Sequence, residues 1–177
     1  MSQRLALPVL ALLTATTAFG AGLAWMTHMH HRALQYLDPT RMTAFDDGYE
    51  LLSDFTVIPV GVLGVVLSAV LLWLRPRGVP IWLILTTLGL QLSIFITRIW
   101  LWGAWAEEVR ASGAVRVAGG ALHPAYERYL DTNGIRIAII ACYALLALAM
   151  TILAARAATG PRSESPVAVR DSAPSPG

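Results

Sequence analysis

The chain has 177 residues, of which 56% are apolar and only 14% charged, against about 25% charged in ordinary soluble domains. That balance excludes a soluble domain, a disulfide scaffold and a disordered chain, and the single Cys142 can build neither an intramolecular disulfide nor a paired-cysteine metal site. A formal charge of +2 with no basic run gives nucleic acid no footprint to bind.

Four uncharged stretches follow one another along the chain, at residues 5–27, 55–74, 79–97 and 137–155. Each is near the ~20 residues with which a helix crosses ~30 Å of hydrocarbon. Lipid cannot solvate a bare backbone, so all four are expected as helices. The first, preceded by Arg4 and ending in small residues, also looks like a secretory signal. Its uncharged run is longer than the roughly 7–15-residue apolar core of such signals, so it is read as a retained helix.

The connection over residues 28–54 opens with the least ordinary run in the chain, Met26-Thr27-His28-Met29-His30-His31. His28 and His31 are three apart and share a helix face, while His30 points elsewhere. Further on, Asp47, Glu50 and Asp54 fall at i, i+3 and i+7, also one face. Two imidazoles and a carboxylate are the donor set of a facial triad, which suits iron or another divalent metal, whereas Met26 and Met29 would favour copper(I). The candidate metal ligands are therefore His28, His31, Glu50 and Asp54, with iron or copper as the ion; the competing reading is a solvated amphipathic surface. Asp38-Pro39-Thr40 reads as a helix start, with residues 40–52 as a short amphipathic helix.

Arg75-Pro76-Arg77-Gly78-Val79-Pro80 is a breaker-rich turn that makes the second and third spans an antiparallel hairpin. Within the spans, Gln91, Ser68, Thr86, Thr87, Ser93 and Thr151 read as interhelical hydrogen-bonding groups. The Ala11-Ala15-Ala18-Gly22 and Gly61-Gly64-Ser68 stripes read as close-packing faces. No series of acids crosses the membrane to relay protons or ions. Arg98 lies near the end of the third span, and an ionisable group at that depth is expected to face the bundle interior and pair with Asp54 or Glu50. After it come a helix end at Ala111–Gly113, a flexible Gly119-Gly120, and a new helix start at His123-Pro124. Residues 1–158 then make one four-helix transmembrane domain. The Pro-, Ser- and Gly-rich residues 159–177 read as a disordered tail.

Arg4, Arg75, Arg77, Arg156 and Arg162 flank one side of the spans, and the acidic excess lies on the other. The positive-inside rule therefore places both termini in the cytoplasm of a bacterial plasma membrane and the two long loops outside. Trp25, Trp100, Trp102 and Trp105 are expected at the outer interface, Trp73 and Trp82 at the inner one. The expected fold is all-α, an up-down-up-down bundle with short amphipathic helices in the two outer loops.

Soluble-enzyme motifs are absent: there is no GxSxG elbow, GxGxxG turn or P-loop. The fourth span is introduced by Tyr126-Glu-Arg-Tyr129-Leu-Asp-Thr-Asn133-Gly-Ile-Arg136, and the first leads into Arg32-Ala-Leu34-Gln-Tyr-Leu37-Asp38-Pro39. With four spans in this arrangement, residues 15–157 resemble the anthrone-oxygenase-like family of small four-helix membrane proteins. The most specific element is the aromatic-x3-Asn-x2-Arg entry into the last helix, matched by Tyr129, Asn133 and Arg136. The chain departs from the family in carrying the His28–His31 run where a proline is common. It also has Thr97-Arg98-Ile99-Trp100-Leu101 where an Asn-x-Pro-Leu-Asn-like run is common. The resemblance implies oxidation of a polycyclic aromatic substrate, a lipophilic aromatic or quinone-like molecule, without a cofactor motif, with Asn133 and Arg136 at the site. Arg98, placed near them by its depth in the third span, joins them as a catalytic candidate, and the two guanidiniums would stabilise a phenolate. The other class in play is a non-enzymatic membrane protein, a partner subunit or a metal-binding accessory.

Overall fold

The computed structural model describes residues 2–159, so the tail expected at residues 159–177 lies outside the described residues except for Thr159, which ends the last helix. Helix α1 runs Ser2–Ala33 and closes in a 3-10 turn, Leu34–Tyr36; α2 runs Pro39–Leu74 and α3 Ile81–Thr97. A π-helical turn, Arg98–Trp102, joins α3 to α4, Gly103–Ser112, and α5 runs Pro124–Thr159. Four helical stretches are long and apolar enough to cross a membrane: Gln3–Tyr36, Ala44–Leu74, Ile81–Ser112 and Pro124–Thr159. Their outward faces are apolar too, with Phe19, Phe55, Leu85 and Leu145 all exposed, as fits an integral membrane protein in a lipid bilayer.

The helices form a ring in which α1 packs against α2 and α5, and α3 packs against the same two. Hydrogen bonds cross the ring: Thr14 Oγ1 lies 2.9 Å from Thr151 Oγ1, and Ser68 Oγ donates to Gln91 Oε1 at 3.0 Å. Bonds of this kind contribute about 0.6 kcal/mol each in membrane bundles. Thr87 and Ser93, expected across helices, instead donate to the carbonyls of Leu83 and Leu90 in their own helix.

At one end, the hairpin end, Leu10, Leu13, Leu71, Ile84 and Met150 form a dense apolar core. Gln3 ties the turn down by donating to the Arg75 carbonyl and accepting from the Arg77 N–H, each at 3.0 Å. Gly78 has φ +77°, and a Cβ there would lie 2.6 Å from the Ala157 Cβ and 3.0 Å from the Leu153 carbonyl oxygen. Gly78→Ala therefore combines a left-handed backbone with overpacking against α5. It should destabilise the fold by about 2–3 kcal/mol, read as a lower midpoint of denaturation in micelles. An unchanged midpoint would mean that the turn does not seat on α5.

At the opposite, polar end the helices outrun the apolar spans. The amphipathic stretch expected after Asp38 runs straight into the second span, so that residues 39–54 are the first turns of α2; α4 is the short helix of the other loop, and α5 starts at Pro124, as expected and well before its apolar run. A second core of Leu34, Met42, Val109, Val115, Ala125 and Tyr126 packs them together. The Tyr126 hydroxyl donates to the His31 carbonyl near the end of α1. The connection from α4 to α5 is a hydrogen-bonded turn built on glycines. Gly113, Gly119 and Gly120 take positive φ, Val117 N–H donates to Ala121 O, and His123 N–H donates to Val115 O. Of the tryptophans expected at the interfaces, Trp25, Trp73, Trp82 and Trp100 are exposed, but Trp102 is buried and its indole N–H donates to Thr132 Oγ1 at 3.0 Å.

Candidate functional site

Between these two cores the bundle is hollow. A partly open cavity of about 130 Å³ runs from Thr17, Gly64 and Gln91 to a roof at the polar end. Small residues make the space: Gly20, Ala24, Gly61 and Gly64 all line it. The glycines of α2 also serve the close packing expected of their stripe. A Cβ at Gly61 would meet the Phe95 ring at 2.9 Å, and one at Gly64 would meet Gln91 Nε2 at 3.3 Å. One stripe thus brings α2 onto α3 and leaves room beside the contact.

The roof consists of His31, Tyr49, Arg98, Tyr129 and Arg136. Arg136 is buried, donates from Nη1 to the Tyr129 hydroxyl at 3.4 Å, and places its guanidinium carbon 5.7 Å from the Trp102 ring centroid and 5.9 Å from that of Tyr129. Such cation–π contacts contribute of order 1 kcal/mol and more when desolvated. Among the described residues no carboxylate neutralises the Arg136 charge, and Nε has no hydrogen-bond partner. Arg98 is exposed at the mouth and makes no ion pair among the described residues. The expected Arg98 pairing with Asp54 or Glu50 does not form. Glu50 is taken by Arg110 at 2.7 Å, because α4 continues past the π turn and lays Arg110 over α2. Asp54 is exposed, about 100° around α2 from the cavity-lining Ser53.

Comparison with protein-family models, curated proteins and solved structures yields no match.

The residues singled out from the sequence therefore divide by geometry. Arg98 and Arg136 share the cavity, whereas Asn133 does not line it. Asn133 is fully buried and donates from Nδ2 to His28 Nδ1 at 2.7 Å, fastening α5 to α1 with its Oδ1 left unpartnered. Of the four proposed metal ligands, His31 stands in the roof, His28 is held by Asn133, Glu50 by Arg110, and Asp54 faces outward. They do not converge.

What does converge is His30, His31 and Asp46, whose ligand atoms lie within 4.8 Å of one another. The sequence pattern points away from two of these: His30 has histidines only at i−2 and i+1, off its own helix face, and Asp46 lies one residue before the Asp47-Glu50-Asp54 face. The available signal was Phe45, Asp46 and Tyr49: an acid between aromatics at i−1 and i+3, matching an interfacial histidine one helix away. His30 stacks on Tyr49 at 3.7 Å between centroids and on Phe45 at 4.8 Å. Tyr49 in turn donates to Thr27 Oγ1 of α1.

Proposed function

We propose that the protein is an oxygenase-like oxidoreductase of the membrane, acting on a lipophilic aromatic or quinone-like molecule whose oxygen-bearing ring enters the cavity. One observation carries this reading: an apolar cavity within the bundle is roofed by two guanidiniums, Arg98 and Arg136, that pair with no carboxylate among the described residues. A packed bundle with Arg98 tied to an acid would instead fit a purely structural role. The volume sets the scale, since an engineered apolar cavity of about 150 Å³ admits benzene. One ring is buried here and any fused rings extend through the open side.

The chemistry follows from the roof. A phenolic or enolisable carbonyl substrate that loses a proton leaves its charge on oxygen, where the buried Arg136 guanidinium and that of Arg98 at the mouth stabilise it. The proton leaves to water through the open side of the cavity, beside His31 and Tyr49 of its roof. The electron-rich anion then reacts with dioxygen. A ring methylene loses two hydrogens and gains one oxygen atom as a carbonyl, and the second oxygen leaves with those hydrogens as water. Dioxygen accepts four electrons and the atoms balance. In lipid nanodiscs under air, the protein should accelerate dioxygen uptake by anthrone with one molecule consumed per carbonyl formed. No acceleration across a panel of anthrones and related phenols would sink the reading.

The cavity roof then belongs to the external side of a bacterial plasma membrane, with both termini cytoplasmic, as the arginine distribution supports. Reporter fusions at Gly78 should read cytoplasmic and at Gly113 external. The opposite pattern would invert the orientation.

A further inference from the structure

Where the roof of the cavity meets a second, smaller cleft, three ligating side chains stand together, and His31 lines both spaces. His30 Nε2 lies 3.3 Å from Asp46 Oδ1. That is close to the ~3.0–3.4 Å at which two donors sit when each is about 2.1 Å from a shared ion. His31 is the third donor, with ring nitrogens that no described residue hydrogen-bonds. We propose that His30, His31 and Asp46 form a divalent-metal site for a borderline first-row cation such as iron(II) or zinc, with its open coordination positions turned toward the smaller cleft, which His31 and Asp46 both line.

Three features point to an ion rather than to a plain His30–Asp46 hydrogen bond. The first is preorganisation. The His30 ring is clamped between Tyr49 and Phe45 with interplanar angles of 18° and 11°, and its side chain is only 8% exposed. Holding an imidazole in one orientation is what a metal site needs from its surroundings. The second is the carboxylate's outer partner. Asp46 Oδ2 accepts from Arg110 at 3.4 Å, which leaves Oδ1 facing the histidines. The third is charge. Arg110 is itself surrounded by Asp46, Glu50 at 2.7 Å and Glu107 at 3.3 Å. One guanidinium among three carboxylates leaves a net negative shell, which offsets the repulsion that Arg98 and Arg136 exert on a cation.

The donor set selects among ions. Two imidazoles and a carboxylate are a borderline nitrogen and oxygen set with no soft ligand. Met26 and Met29, which would have drawn copper(I), are exposed on the outside of α1. Three ligands leave positions free for water or a ligand, as catalytic rather than structural sites do. Binding is read without turnover, so failure here leaves the oxygenase reading to stand or fall by the Arg98 variant.

The test uses the full chain in nanodiscs, purified on a tag without histidine, stripped with chelator and titrated with cobalt(II), with zinc as competitor. One cobalt per chain should appear with ligand-field absorption that zinc abolishes. His30→Gln, His31→Gln and Asp46→Asn should each weaken binding by about 100-fold or more, while His28→Gln, whose ring is held by Asn133, should not. Should a variant fail to fold, the wild-type chain loaded with copper(II) decides the matter by paramagnetic resonance, where two imidazole nitrogens are expected. No stoichiometric cobalt, binding lost with His28 but not with His31, or a copper spectrum without two imidazoles would each overturn the site.

Discussion

Replacing Arg98 with Met should slow dioxygen uptake by an anthrone or related phenol by about 10-fold or more, less than the ~10²–10³-fold that follows removal of a buried, preorganised donor to a developing oxyanion, because Arg98 stands at the exposed mouth. The variant isolates function from fold because Arg98 is exposed at the cavity mouth and has no ion pair among the described residues. Its removal breaks nothing, so the midpoint of denaturation should stay within about 0.5 kcal/mol of wild type, as for other exposed substitutions. Arg136 behaves differently, since it is buried between Tyr129 and Trp102. Arg136→Met should lose both turnover and stability, and only the comparison of the two separates the roles. Wild-type turnover in Arg98→Met would remove the guanidinium pair from the chemistry.

The four helices were legible because their length and lack of charge are set by the bilayer, a constraint that acts on each span separately. The hairpin at Gly78 was legible for the same reason, as local turn chemistry. The cavity was not. Gly61 and Gly64 carry the spacing of a close-packing face, and they do pack on Phe95 and Gln91. Whether small residues leave a void depends on what the third and fourth helices place opposite, which no single stripe encodes. The ion pairs failed for a related reason. Asp54 and Glu50 match Arg98 in depth, but Arg110 reaches Glu50 because α3 and α4 form nearly one helix through a π turn. Depth is readable from hydropathy; azimuth around a helix depends on each residue inserted before it.

That inserted residue yields the second large effect. The π turn at Arg98–Trp102 is closed by the Gly103 N–H donating to the Arg98 carbonyl. A Cβ on residue 103 would lie 2.5 Å from that carbonyl oxygen and 3.4 Å from Arg98 Nη1. Gly103→Ala must therefore undo the turn. Converting it to α-helix without shortening the chain rotates α4 by about 100° relative to α3. Val109 would leave its core, and Arg110 would leave Asp46 and Glu50. The expected loss is about 3 kcal/mol, roughly that of exposing one large apolar side chain and breaking a charge-assisted network. Deleting Gly103 should act in the opposite sense. With the extra residue gone, an unbroken α-helix keeps α3 and α4 in their present phase, so most of the stability should return. The local backbone that aims Arg98 into the cavity mouth is still altered, and turnover should stay low. Denaturation midpoints and dioxygen uptake on the pair check this directly: a Gly103→Ala variant as stable as wild type, or a deletion less stable than the substitution, would show that the π turn does not set the register of α4.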